Sequence, residues 1–305
     1  MVARSLPKSG QRTATWPTPA AVLELLKPIT WFPPMWAYGC GMIASGADLG
    51  SRWTYVAGGV LLAGPMICGT SQAVNDWYDR HVDAINEPHR VIPSGRMPGR
   101  WGLWVAIAGS LLSLGLAAFL GLWVFVAAVV GLVFAWIYSM PPLRLKQDGW
   151  LGNAAVGLSY ETLPWLTAVA AATNAFPDPR TALIALLYGI GAHGIMTLND
   201  FKAIEGDRQM GIRSLPARYG PHTAAVLACI TMAGAQIAVI IALAAWDRPY
   251  FAAAIAGLTL VQVGCMARFL KDPIVRAVWY SAIGVGLYVT GMAIAAFALR
   301  GLVSG

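Results

Sequence analysis

Charge is what this chain has least of. Only 11% of its 305 residues are Asp, Glu, Lys or Arg, while 57% are hydrophobic. A soluble domain is about a quarter charged, so a soluble globular fold is excluded. Paired cysteines are missing as well. Cys40, Cys68, Cys229 and Cys265 stand singly in apolar runs without CxxC spacing. That excludes a disulfide framework and a thiolate metal site, and leaves them as small packing residues. Short alternating segments, the mark of a membrane barrel, are also absent, because the apolar runs are long and continuous. No stretch resembles a nucleic-acid-binding module, so the net charge of +7 implies no nucleic-acid partner. The first twenty residues are basic, rich in Pro, Ser and Thr, and carry no apolar h-region. They read as a disordered cytoplasmic tail and not as a signal peptide.

What is present is an all-α pattern, a polytopic bundle of membrane helices, since a helix satisfies every backbone polar group in lipid. About nine spans of roughly 20 residues each can be drawn, near 22–45, 54–76, 101–118, 122–140, 150–172, 181–199, 221–245, 250–269 and 276–299. Residues 21–305 then form a single transmembrane domain. Seventeen of the 21 Lys and Arg fall in the tail and in the loops after spans two, four, six and eight. The other side holds Arg52, Arg180, Arg248 and Arg300. The positive-inside rule places the seventeen, and the N-terminus with them, in the cytoplasm.

The scarce acids are concentrated. Residues 75–87 and 199–207 contain seven of the fourteen. In NDWYDRHVD, Asn75, Asp79 and Asp83 are four residues apart, so on a helix advancing about 100° per residue they share a face. Asp76 lies in the same sector. Hard oxygen donors so arranged suit Mg²⁺, which shares its shell with phosphates. Asn-Asp recurs at Asn199–Asp200, and Arg213-Ser-Leu-Pro-Ala echoes Arg90-Val-Ile-Pro-Ser. Four spans separate the copies, an even number, so the chain reads as a parallel internal repeat of helices 1–4 and 5–8 plus a ninth. Two acidic helix ends would then face one cytoplasmic cavity. Asp200 and Asp207, seven apart, share a helical face, and Glu205 points elsewhere unless Gly206 breaks the helix. Around two metal ions such clusters bind a diphosphate, with Lys and Arg of neighbouring loops neutralising the remaining charge. Within the spans, Glu161 is an intramembrane acid and so a functional candidate. Its bland alternative is pairing with a base.

These residues resemble a known family. NDWYDRHVD is similar to the first Asp-rich motif (NDxxDxxxD) of the UbiA superfamily of intramembrane prenyltransferases, and the second cluster occupies the position of its second motif. DAINEPHRVIPSGR, YSMPPLRLKQDGWLGN and NDFKAIEGDRQMGIRSLPARYG resemble the chlorophyll-synthase branch. PITWFPPMWAYGCG, PGRWG and GAHGIMTLNDFKAIEGD resemble its counterparts in purple bacteria. Many members carry an acid where this chain has Ala203, so Glu205 and Asp207 compete to complete the second motif, with Asp207 ranked first.

The resemblance implies nine membrane helices and esterification of a chlorophyllide or bacteriochlorophyllide propionate with geranylgeranyl or phytyl diphosphate. It also implies contact with other pigment-biosynthesis enzymes. Metal (Mg²⁺ or Mn²⁺) would be held by Asn75, Asp79, Asp200 and Asp207, with Asp76 and Asp83 beside them. Arg90, Arg144, Lys146, Lys202 and Arg208 would neutralise the diphosphate. Trp77, Tyr78, Tyr138, Tyr160 and Trp165 are candidate cation–π faces for an allylic cation, each also explicable as packing. Glu161 would orient the tetrapyrrole, and His193 would ligate its magnesium or pack as a hydrogen-bonded histidine. Competing readings are quinone-type or haem prenylation, a cation transporter working through buried acids, and a pigment-binding structural subunit.

Overall fold

The computed structural model describes residues 16–303 and is helical throughout, with no named strand among the described residues. The expected tail at 1–15 lies outside them. The chain is already helical at α1 (Pro19–Leu25), capped by the Thr18 hydroxyl. The single span expected over 22–45 is interrupted. Pro28 disfavours helix at the residue before it, Lys27 turns to φ 47°, and a one-turn 3-10 segment leads into α2 (Phe32–Ala44). α3 (Trp53–Asn86) is a continuous 34 residues with a π-helical stretch at Leu62–Cys68 around Pro65. It runs ten residues past the expected end and so carries the whole first motif on regular helix.

α4 (Trp101–Leu120) and α5 (Leu122–Ile137) form the expected tight hairpin, hinged on Gly121 at φ 124°. α6 covers 149–173, with a second π-helical stretch at Leu158–Thr162. α7 (Pro179–Asp200) begins with Asp178 accepting from the Arg180 and Thr181 amides and with Pro at the first turn, both favourable helix starts. Two short helices follow, α8 (Ile204–Met210) and α9 (Leu215–Tyr219). The chain ends in α10 (Pro221–Ala245), α11 (Pro249–Phe269) and α12 (Pro273–Val303). Among the described residues, six helices (α3, α4, α7, α10, α11 and α12) are long and apolar enough to cross a membrane. α2, α5 and α6 lie where the other three spans were expected and are not among those six.

The main core gathers α2, α6, α7, α10, α11 and α12 around Trp165, Tyr188, Met232, Tyr280 and Tyr288. Because lipid is as apolar as Leu, close packing through small residues must replace hydrophobic drive. At the α6–α7 crossing a Cβ on Gly157 would lie 2.4 Å from the Gly189 carbonyl oxygen, and one on Gly41 of α2 would lie 2.3 Å from that of Trp165. The contacts between α2 and α6, and between α6 and α7, fix the frame in which the acidic ends of α3 and α7 sit.

Candidate active site

The last turns of α3 place Asn75, Asp79 and Asp83 along one wall of a cavity of about 520 Å³. The Asn75 amide donates to Ser139 Oγ at 3.0 Å. Asp79 accepts from Arg144 Nη2 at 3.1 Å and from Lys146, both brought over by the loop after α5. Asp83 meets Arg90 at 3.0 Å. Lys146 is deeply set, and burial lowers its pKa against the pull of Asp79.

Asp200, the last residue of α7, and Asp207, on α8, stand in the same cavity together with Lys202. Asn153 donates to Asp200 at 3.4 Å and to Thr197 Oγ1 at 3.2 Å. Ser214 Oγ donates to Asp207, while burial pushes the Asp207 carboxyl above its ordinary range. A short parallel seam holds this arrangement. The Gly149 amide donates to the Arg213 carbonyl and the Arg213 amide to the Gln147 carbonyl, each at 2.9 Å. Asp148 caps α6 and pairs with Arg213 at 3.4 Å. The loop carrying Lys146 is thereby tied to the loop carrying Ser214.

Asn75 and Tyr138 also line a second, largely apolar chamber of about 400 Å³ between α2, α3, α5, α6, α7 and α12. Tyr160 and Glu161 line it from the π-helical stretch of α6, and Asn199 from α7. The Tyr160 hydroxyl accepts from Gln72 at 3.1 Å. Glu161 is 4% exposed, and its Oε2 is enclosed without a hydrogen-bond partner. The polar cavity and the apolar one are thus neighbours that share one amide and one phenol in their walls.

Several expected residues lie elsewhere. Asp76 is 3% exposed, faces Lys27 at 2.6 Å and Arg90 at 3.4 Å, and lines neither cavity. The interruption after α1 swings Lys27 against that side of α3, which no periodicity reveals. Arg208 follows Asp207 by about 100° of helix and is exposed, outside both cavities. Trp165 is fully buried in the main core, stacked on Tyr188 at 6.0 Å. His193 packs against the Trp150 ring at 5.2 Å, also away from the chamber. Trp77 and Tyr78 line neither cavity. Glu205 is exposed and accepts from Gln209. Sequence reasoning did not single out Lys27, Gln72, Ser139, Asn153 or Ser214. For Asn153, an amide near the start of an apolar span, polarity inside a span was the available signal.

Among the described residues, no three His, Cys, Asp or Glu are close enough together to hold a metal ion by themselves. The donor chemistry nevertheless fits Mg²⁺. Hard oxygens of Asn75, Asp79, Asp83, Asp200 and Asp207 line one cavity, and Mg²⁺ commonly takes one or two carboxylates and completes its shell with substrate phosphate.

Long apolar helices around an acid- and base-lined cavity that shares a wall with an apolar chamber define a membrane-embedded enzyme for amphiphilic diphosphates. The chain belongs to the UbiA prenyltransferase family, whose sequence model matches residues 31–282, and it is a multi-pass membrane prenyltransferase. It is 54% identical to the bacteriochlorophyll synthase 33 kDa chain of Cereibacter sphaeroides over 94% of this chain and 95% of that one. It is 40% identical to the chloroplastic chlorophyll synthase of Oryza sativa subsp. japonica, covering 90% and 76%. Its fold matches a UbiA homolog from Archaeoglobus fulgidus bound to GPP and Mg²⁺, with TM-score 0.70, 20% identity and coverage of 90% and 99%.

Proposed function

We propose that this prenyltransferase esterifies the propionate carboxylate of bacteriochlorophyllide with geranylgeranyl or phytyl diphosphate and releases diphosphate. The observation that carries the reading is the pair of acidic helix ends sharing one base-lined cavity beside an apolar chamber, with Asn75 and Tyr138 lining both. The pigment half rests on the likeness to bacteriochlorophyll and chlorophyll synthases across nearly the whole chain.

The diphosphate lies in the polar cavity against Arg90, Arg144, Lys146 and Lys202, and the isoprenoid chain extends past Asn75 and Tyr138 into the chamber. Asn75, Asp79, Asp200 and Asp207, with Asp83 beside them, would hold Mg²⁺. When bound, the metal supplies Lewis-acid withdrawal of charge from the leaving group. The cationic side chains neutralise charge that develops on the departing oxygen. Tyr138 and Tyr160 present ring faces to an allylic cation, and the apolar walls keep water from it. A propionate is already ionised near neutral pH, so no strong base is needed. Glu161 orients the tetrapyrrole from within the chamber. The chain crosses the membrane nine times as a parallel repeat plus one helix, with α2, α5 and α6 completing the count and the acidic ends facing the cytoplasm.

Purified protein given geranylgeranyl diphosphate with either bacteriochlorophyllide or 4-hydroxybenzoate separates this reading from ring prenylation. An esterified pigment is expected with the first acceptor and no product with the second. The reverse pattern would sink the pigment assignment.

A further inference from the structure

The two sets of acids in the polar cavity are held by chemically different partners. On α3, Asp79 carries two cations, Arg144 at 3.1 Å and Lys146, and Asp83 carries Arg90 at 3.0 Å. On the other side Asp200 accepts from the neutral Asn153 amide and Asp207 from the neutral Ser214 hydroxyl. Among the described residues, neither Asp200 nor Asp207 has a basic group in ion-pair contact. A divalent cation approaching Asp79 must therefore displace a guanidinium and an ammonium, or sit beside them as a like charge. One approaching Asp200 and Asp207 displaces an amide and a hydroxyl and meets Lys202 as a cation of the same cavity that is in ion-pair contact with neither acid.

We propose that metal loading is ordered. The first ion binds at Asp200 and Asp207, and Arg144 and Lys146 keep Asp79 closed to a second until a diphosphate draws them off. This deepens the reading of the cavity as a metal–diphosphate site and rests on it. A diphosphate offers several charged oxygens where Asp79 offers two, and Arg and Lys both bind phosphate strongly. Arg144, Lys146 and Asp79 all line the same cavity, so the bases exchange a carboxylate for a phosphate without leaving it. Release of Asp79 is then coupled to substrate arrival. Arg144 and Lys146 act as positioning residues for the second ion as well as ligands of the diphosphate.

The test counts Mn²⁺ on the purified full-length chain in detergent, by calorimetry and by the spin-resonance signal of free ion, with and without inorganic diphosphate. One ion per chain is expected without diphosphate and two with it. Asp200→Asn should abolish the first ion. Asp79→Asn should keep the first and lose only the diphosphate-dependent second. The double variant Arg144→Gln, Lys146→Gln should take up the second ion without diphosphate, at least about tenfold more tightly than the wild-type chain, as expected when a competing pair of cations is removed. The single variant Lys146→Gln should lie between, and a thermal melt of each variant reports on folding.

Two ions bound by the wild-type chain without diphosphate would overturn the proposal, as would loss of the first ion in Asp79→Asn or a folded double variant that still binds only one. The order and the pigment reaction fail separately. Ester formation with unordered ions overturns only the loading order. Ordered ions with no pigment ester support the loading order and sink the pigment assignment.

Discussion

At the scale of the residue, aspartates that the sequence grouped together have different roles set by a few ångströms of surroundings. Asp79 faces the cavity and its bases, and Asp200 faces it from α7. Asp79→Asn and Asp200→Asn should each lower kcat by about 10²–10³-fold, the scale of losing one preorganised electrostatic contribution to the transition state. Glu205→Gln, on the exposed side of α8, should leave turnover near normal. Single-turnover prenyl transfer reads all three, and equal losses would argue against the cavity as the site. Asp76 should behave differently again. Its side chain is buried between Lys27 and Arg90, so Asp76→Asn leaves Lys27 uncompensated, whereas Arg90 keeps Asp83 and Glu87. Since Lys27 is a quarter exposed, solvent screening reduces the penalty to about 1–2 kcal/mol. A lowered Tm with unchanged Mg²⁺ affinity is expected. The positions of Asn75, Asp79 and Asp83 were legible from their fourfold spacing, but the direction Asp76 faces was not, because its partner comes from 49 residues away in sequence.

At the scale of the element, the crossings decide geometry. Gly157→Leu would drive a side chain into the Gly189 carbonyl, at a cost of about 1–3 kcal/mol. It would also separate Asn153 from Asp200, three residues before Asp200 being Thr197 on the same contact. Gly115→Leu, where a Cβ meets nothing within 4 Å, is the control, and melting temperatures compare the two. The α1 helix buries Ala21 and Leu25 against α3 and is also tied by Glu24 to Arg96, a pair that keeps the Glu24 carboxyl below its ordinary range. A depressed carboxyl contributes stability above its unfolded value and loses it as pH falls through the folded value. Clipping of the α1 segment by an added acid-stable protease should therefore rise below pH 4.5, the unfolded reference. In Arg96→Met it should be high at all pH, and no change in that variant would discard the latch. The two π-helical stretches, at Leu62–Cys68 and Leu158–Thr162, carried no readable signal beyond Pro65. They re-aim Cys68, Tyr160 and Glu161 by inserting a residue into the helical turn, a choice made by packing.

At the scale of the whole molecule, charge asymmetry makes a topological prediction. Single cysteines introduced at Lys202 and at Arg248, in a chain whose four native cysteines are replaced, should label from opposite faces of sealed vesicles, Lys202 from the cytoplasmic one. Labelling of both from one face would overturn the orientation. The sequence by itself determined the class. A 57% hydrophobic chain with its acids confined to two stretches must hide its backbone in helices and meet those acids with cations, and local spacing set which acids share a face. Only the tertiary structure decided which cations meet which acids, that the polar cavity lies beside an apolar chamber, and that Trp165 and His193 line neither. Those outcomes depend on contacts between residues distant in sequence, brought together by glycine crossings and the seam from Asp148 to Arg213, and helical periodicity carries no information about distance across a bundle.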